Sequence, residues 1–206
     1  MTARFDHIAI AAEDLDDGAA AVEAALGVPL QPGGQHALMG THNRLLSLGP
    51  GEYLEVIAIN PDAPAPDRPR WFDLDGFAGR ARPNTWIANC DDLQAALAAA
   101  PEGSGRPIDF ERADLRWRMA VPDDGCLPFD SAFPALIEWQ GGASAADRQT
   151  DVGCRLERLV LIHPQPGALQ AALKPLIDDP RITVEHGAQK AMRAVIRTPH
   201  GLRELA

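Results

Sequence analysis

The sequence predicts an α+β fold, and three observations carry that expectation. A strand pattern, a helical pattern and a strand hairpin follow one another in the first sixty residues. The same order restarts near residue 84 and again, shortened, near residue 155. Turn residues separate the elements, with 18 Gly and 18 Pro in 206 residues, while hydrophobic residues make up 46% and charged residues 23%, an ordinary globular balance.

The first element is Arg4 to Ala11, where Phe5, His7 and Ala9 alternate with Asp6, Ile8 and Ile10. Glu13, Asp14, Asp16 and Asp17 suit a helix N-terminus. Leu15, Ala19, Val22 and Leu26 then recur at helical spacing, and Gly27 with Pro29 closes the helix. After a turn-rich stretch, Arg44 to Leu48 and Tyr53 to Ile59 flank Gly49-Pro50-Gly51 as a hairpin. In the second unit Trp86-Ile87-Ala88 is a short strand, and Asp91-Asp92 precede the helical spacing of Leu93, Ala96 and Leu97. Leu115 to Val121 and Ala135 to Trp139 are strands around Pro122-Asp123-Asp124-Gly125. Placing Ile8 over Trp86 also places Leu15 over Leu93, and the units end in Tyr53-Leu54-Glu55-Val56 and Leu136-Ile137-Glu138-Trp139. The third unit reads as a strand at Leu156 to Ile162, a helix at Gly167 to Ile177, a strand at Ala191 to Arg197 and a final Leu202 to Leu205. The expected boundaries are 1–62, 84–145 and 155–206. Residues 63–83, rich in Pro, Asp and Arg and carrying Trp71, Phe72 and Phe77, are either a linker or a lip over a cleft.

A net charge of −10 argues against nucleic acid or an anionic membrane as partner. Cys90, Cys126 and Cys154 form neither a disulfide framework nor a cysteine zinc motif. The N-terminal residues show no basic-then-apolar leader, and Ala24 to Asn43, the longest stretch free of formal charge, is broken by Gly and Pro. A cytoplasmic protein is the resulting expectation. No nucleophile-elbow, zincin, Walker or dinucleotide-binding glycine motif is present.

Asp6-His7-Ile8-Ala9-Ile10, Gly40-Thr41-His42-Asn43-Arg44-Leu45, Tyr53-Leu54-Glu55-Val56-Ile57 and Leu136-Ile137-Glu138-Trp139 together resemble the glyoxalase-like proteins of the vicinal oxygen chelate superfamily. The resemblance implies βαβββ modules forming curved mixed sheets around a cleft, with a C-terminal partial module. It also implies a divalent metal (Zn, Mn, Fe, Co or Ni) held by His7, Glu55 and Glu138, with Glu138 able to dissociate and act as the catalytic base. Thr85 stands where the second module would supply its own first-strand ligand. His36, His42, Asn43 and Arg44 are candidate substrate contacts; the two histidines alternatively replace the missing ligand or serve a turn, and Arg44 suits a carboxylate. The implied activity is that of a metal-dependent lyase or isomerase, less so an oxygenase, on a small oxygen-bearing metabolite. The rival is a metal-free protein that sequesters a small molecule, and the resemblance also admits a homodimer. A fold-level likeness does not choose among these.

Overall fold

The structure is a computed structural model and describes residues 3–206. Met1 and Thr2, part of the segment read for a leader, lie outside the described residues. The chain runs through β1 (Ala3–Ala11), α1 (Leu15–Leu26), β2 (Gln31–His36), β3 (Thr41–Ser47) and β4 (Tyr53–Ile59). It then repeats as β5 (Arg82–Cys90), α2 (Leu93–Ala99), β6 (Arg106–Arg112), β7 (Leu115–Val121) and β8 (Ala135–Gln140). Last come β9 (Arg155–His163), α3 (Pro166–Leu173), β10 (Ile182–His186), β11 (Ala191–Thr198) and β12 (Gly201–Leu205).

The acidic stretch before α1 acts as expected. The Asp14 carboxylate accepts from the Asp16 and Asp17 amides, and Gly27 ends the helix in the left-handed region at φ 72°. Asp92 caps α2 in the same way through the Ala95 amide.

Strands β1 to β8 form one mixed sheet in the order β2-β3-β4-β1-β5-β8-β7-β6. Each half is a βαβββ module in which the first strand pairs parallel with the last, β1 with β4 and β5 with β8. The halves join antiparallel along β1 and β5, with Ile8 opposite Trp86. The likeness drawn between Ile8 and Trp86 therefore marks an approximate twofold axis at the centre of the sheet.

Strand alternation gives the curved sheet two faces. Ile8, Ile10, Leu54, Val56, Trp86, Ala88 and Leu136 pack on the outer face with α1 and α2. Leu159, Leu161, Met192, Ala194 and Ile196 of the C-terminal sheet belong to that same core. On the inner face Ala9, Ile57, Ile87, Trp117, Met119 and Ile137 line a concave surface under Trp71 and Phe72. The C-terminal sheet has the order β10-β9-β11-β12, in which β9 pairs with β10 and β11 rather than with the last strand. Its connectivity thus differs from that of the two modules.

Candidate functional site

One irregularity of β1 builds the centre of the cleft. The pairing of β1 with β5 slips between Phe5 and His7, so one extra residue is inserted there. Phe5 and Ile8 face the outer core, and the side chains of both Asp6 and His7 turn to the inner side. Without the bulge, alternation would send Asp6 away from His7.

His7 is 3% exposed and sits between two carboxylates. Its Nδ1 lies 2.6 Å from Asp6 Oδ1, and its Nε2 lies 3.4 Å from Glu55 Oε1 and 3.4 Å from the Tyr53 hydroxyl. The Tyr53 ring stacks on the imidazole with centroids 4.1 Å apart. Asp6 Oδ2 accepts from Trp139 Nε1 at 2.9 Å, and Glu55 Oε2 accepts from Asn43 Nδ2 at 2.7 Å. Burial works against a charged imidazole, but the hydrogen bonds to Asp6 and Glu55 outweigh it and raise the His7 pKa to about 9. Burial likewise opposes the Glu55 carboxylate, and its pairing with His7 holds its pKa below the ordinary value. Burial also drives the Tyr53 phenol well above its ordinary pKa.

The chain of polar groups continues into the second module. Asn43 Oδ1 accepts from the Gly34 amide at 2.9 Å and lies 3.4 Å from Nη1 of Arg112, the last residue of β6. The same Nη1 donates to His36 Nε2 at 3.2 Å. Arginine can only donate, so His36 Nε2 carries no proton and Nδ1–H faces Thr41 Oγ1 at 3.0 Å. His36 is thereby neutral, its pKa lowered by burial to about 4.

His7, His36, Asn43, Tyr53, Glu55 and Arg112 line a cavity of about 20 Å³ whose remaining wall is aromatic and apolar. Trp71, Trp117 and Trp139 belong to that wall, and Phe110 links Trp71 to Trp117 in one aromatic run, with successive centroid separations of 5.1, 5.6 and 5.5 Å from Trp71 to Trp139. Trp71 and Phe72 come from the segment between the modules and stack on each other. Phe72 holds a left-handed backbone at φ 62°, a costly conformation for a bulky residue; its carbonyl accepts from Asn84 Nδ2 at 2.7 Å.

The structure brings His7, Glu55, His36 and Asn43 to one cavity and sends three expected residues elsewhere. Glu138, expected as third metal ligand and base, points to the outer face with Leu136. There its Oε2 accepts from the Leu93 amide at 2.9 Å and caps α2. The reason is register. Glu55 pairs with Ala9, one residue past Ile8, and the residue pairing one past Trp86 is Ala135. Glu138 stands three residues beyond Ala135, and an odd displacement along a strand reverses the face. His42 and Arg44 alternate with Asn43 onto the outer side of β3, where Arg44 pairs with Asp16 at 2.7 Å. Asp6, Tyr53 and Arg112 join the site beyond the residues the sequence points to. Asp6 and Tyr53 stood inside the quoted motifs, whereas Arg112 lies in a strand without a periodic signal.

The residues present do not fit the divalent ion the resemblance implied. From the second module, the positions matching His7 and Glu55 are Thr85 and Ala135, neither a useful ligand. His7 Nε2 and Glu55 Oε1 make two donors, one short of the three protein ligands typical of a catalytic site. A guanidinium cation stands within hydrogen-bond reach of the next two donors, His36 and Asn43. Among the described residues, no three His, Cys, Asp or Glu side chains converge as a metal group.

Comparison with known proteins bears on the fold and family. A hypothetical protein from Staphylococcus aureus superposes with a TM-score of 0.62 at 15% identity, over 92% of this chain and 88% of that one. A variant of methylmalonyl-CoA epimerase from Streptomyces coelicolor, in complex with 2-nitronate-propionyl-CoA, is 19% identical over 70% of this chain and 99% of its own, with a TM-score of 0.45. The methylmalonyl-CoA epimerase of Mycobacterium tuberculosis is 17% identical over 66% and 85%, with a TM-score of 0.42. No curated protein matches the sequence. No helix among the described residues is long and apolar enough to cross a membrane. The family model of the glyoxalase-like domain matches residues 5–177, which takes in both modules and the start of the C-terminal sheet. The chain belongs to the glyoxalase-like domain family.

Proposed function

We propose that the protein is an enzyme of lyase or isomerase type that moves a proton on a small oxygen-bearing metabolite in this cleft. The observation that supports it most is the His7 imidazole held between two buried carboxylates and opening onto an aromatic-walled cavity. In this reading Glu55 Oε1 accepts a proton from a carbon next to a carbonyl group. The C–H electron pair passes into the carbonyl, and the developing oxygen charge is met by N–H and O–H donors of the site. Return of the proton to another atom completes an isomerisation; loss of a β-substituent from the same intermediate completes a lyase reaction. Asp6 fixes the His7 ring orientation and stabilises its charged form, and Asn43 orients Glu55. No step passes through a metal.

The alternative is a metal-free binding protein of the same fold. The depressed Glu55 pKa favours it, because a well-stabilised carboxylate is a weak base. One experiment separates the two. Chelator-treated protein is incubated in deuterium oxide with a panel of small 2-oxo and 2-hydroxy acids and aldehydes, and exchange at the carbon beside the carbonyl is followed by proton NMR. Exchange by the wild type, reduced about 10²–10⁴-fold in Glu55→Gln and unchanged in Arg44→Gln, supports the enzyme. Binding without exchange supports sequestration, and exchange that requires an added divalent ion overturns the metal-free mechanism.

A further inference from the structure

The cavity holds more donors than its walls can satisfy. Arg112 is half-buried, and its partners are two neutral acceptors reached through one nitrogen, His36 Nε2 and Asn43 Oδ1. No carboxylate of the described residues lies within 4.0 Å of it. Trp71 lines the same cavity at 3% exposure, and its Nε1–H makes no hydrogen bond at all. A buried N–H left without an acceptor is costly, and a half-buried guanidinium whose partners are neutral gains from a counter-ion. Both deficits are of the same kind: what is missing is an acceptor oxygen, preferably a charged one. Asn43 stands between Arg112 and Glu55, with its Nδ2 on Glu55 and its Oδ1 toward Arg112, and so separates the cation from the carboxylate.

We propose that Arg112 and Trp71 form an oxyanion subsite, and that the ligand of this cleft carries a carboxylate or similar planar oxyanion bound there. This rests on the reading that the cleft takes a small molecule, but not on its chemistry. Arginine suits the role because its planar fork matches a carboxylate in a way that lysine does not. The role foreseen for Arg44 thus falls to a residue of the other module. About 20 Å³ holds roughly one water, so a ligand larger than that gains its room by rearrangement of the lining side chains.

The test uses the indole N–H signals of the intact, chelator-treated protein in ¹⁵N–¹H spectra, with acetate as probe and acetamide as its uncharged counterpart, at constant ionic strength. The Trp71 signal is identified by its loss in Trp71→Phe. Acetate should move it downfield in a saturable way. The Trp86 and Trp139 signals, whose N–H groups are bonded to the Ala132 carbonyl and Asp6, should stay. Acetamide should bind at least tenfold more weakly, and Arg112→Gln should weaken acetate at least tenfold. If Arg112→Gln loses spectral dispersion, Arg112→Lys replaces it, with an expected weakening of at least threefold. A stationary Trp71 signal, equal binding of acetamide, or an Arg112 variant with wild-type affinity overturns the subsite. A shifting Trp71 signal in a protein that exchanges no deuterium leaves the subsite standing and removes only the proton-transfer chemistry.

Discussion

The two modules share one topology and divide the cleft unequally. The first contributes Asp6, His7, His36, Asn43, Tyr53 and Glu55, all 7% exposed or less. The second contributes the aromatic wall of Trp117 and Trp139, backed by Phe110, and a single cation, Arg112. At the positions related by the central axis, Thr85 stands for His7 and Ala135 for Glu55. The duplication therefore sets the architecture, while the buried carboxylates and histidines of the cleft are placed on one half only. Outer-face positions along the axis stay apolar in both halves, since Ile8 and Trp86 each have 0% exposure in the shared core.

The sharpest way to break this comparison is at the shared axis. Trp86 is fully buried, and its indole donates to the Ala132 carbonyl at 3.0 Å. Trp86→Ala should cost about 3–5 kcal/mol, read from urea unfolding, because it opens a large cavity and orphans that carbonyl. Both modules should unfold together; separate transitions would show that the halves are energetically independent.

The unequal division should also be visible in the dependence of stability on pH. His7 has a folded pKa of about 9 against an ordinary 6.5, so its contribution is complete below pH 6.5 and lost as pH rises through 9. For His36 the folded pKa is about 4, so its contribution is complete above pH 6.5 and lost as pH falls toward 4. Each amounts to on the order of 3 kcal/mol. His7→Gln should flatten the alkaline side of the unfolding profile and His36→Gln the acid side. Parallel profiles for wild type and variants would refute the assignment of charge in the first module.

A smaller effect is expected at Glu138. It holds the N-terminus of α2, so Glu138→Ala should cost about 1 kcal/mol and leave acetate binding in the cleft unchanged. A cleft altered by this substitution would return Glu138 to the site.

The strands legible in the sequence are those with apolar neighbours on both sides or on one clean face, such as β1, β4, β7 and β8. Those that escaped notice, β2, β6 and β10, are all edge strands of their sheets. An edge strand is half solvated and has one partner, so its composition is free to wander, as Gln31-Pro32-Gly33-Gly34-Gln35-His36 does. The loss of Arg112 from the sequence reading follows directly, since it ends such a strand. Glu138 misled for a different reason. Its neighbours match those of Glu55 in kind, but similarity of composition carries no information about parity, and parity decides the face. Glu55 stands out in the sequence because a carboxylate set among apolar strand residues needs a partner, whereas His7 and Asn43 stand out only through the motifs that carry the resemblance.

The junction of β1 and β5 has a mechanical consequence. A backbone ladder with two register shifts, and Ile8 against Trp86 near its midpoint, forms the floor of the cleft. Hinging one module against the other would shear every rung of that ladder at once. Entry and exit must therefore be left to the periphery: the Trp71–Phe72 segment above, and the rims where Gly34 and Arg112 meet so closely that a methyl group on Gly34 would come within 2.6 Å of the arginine side chain.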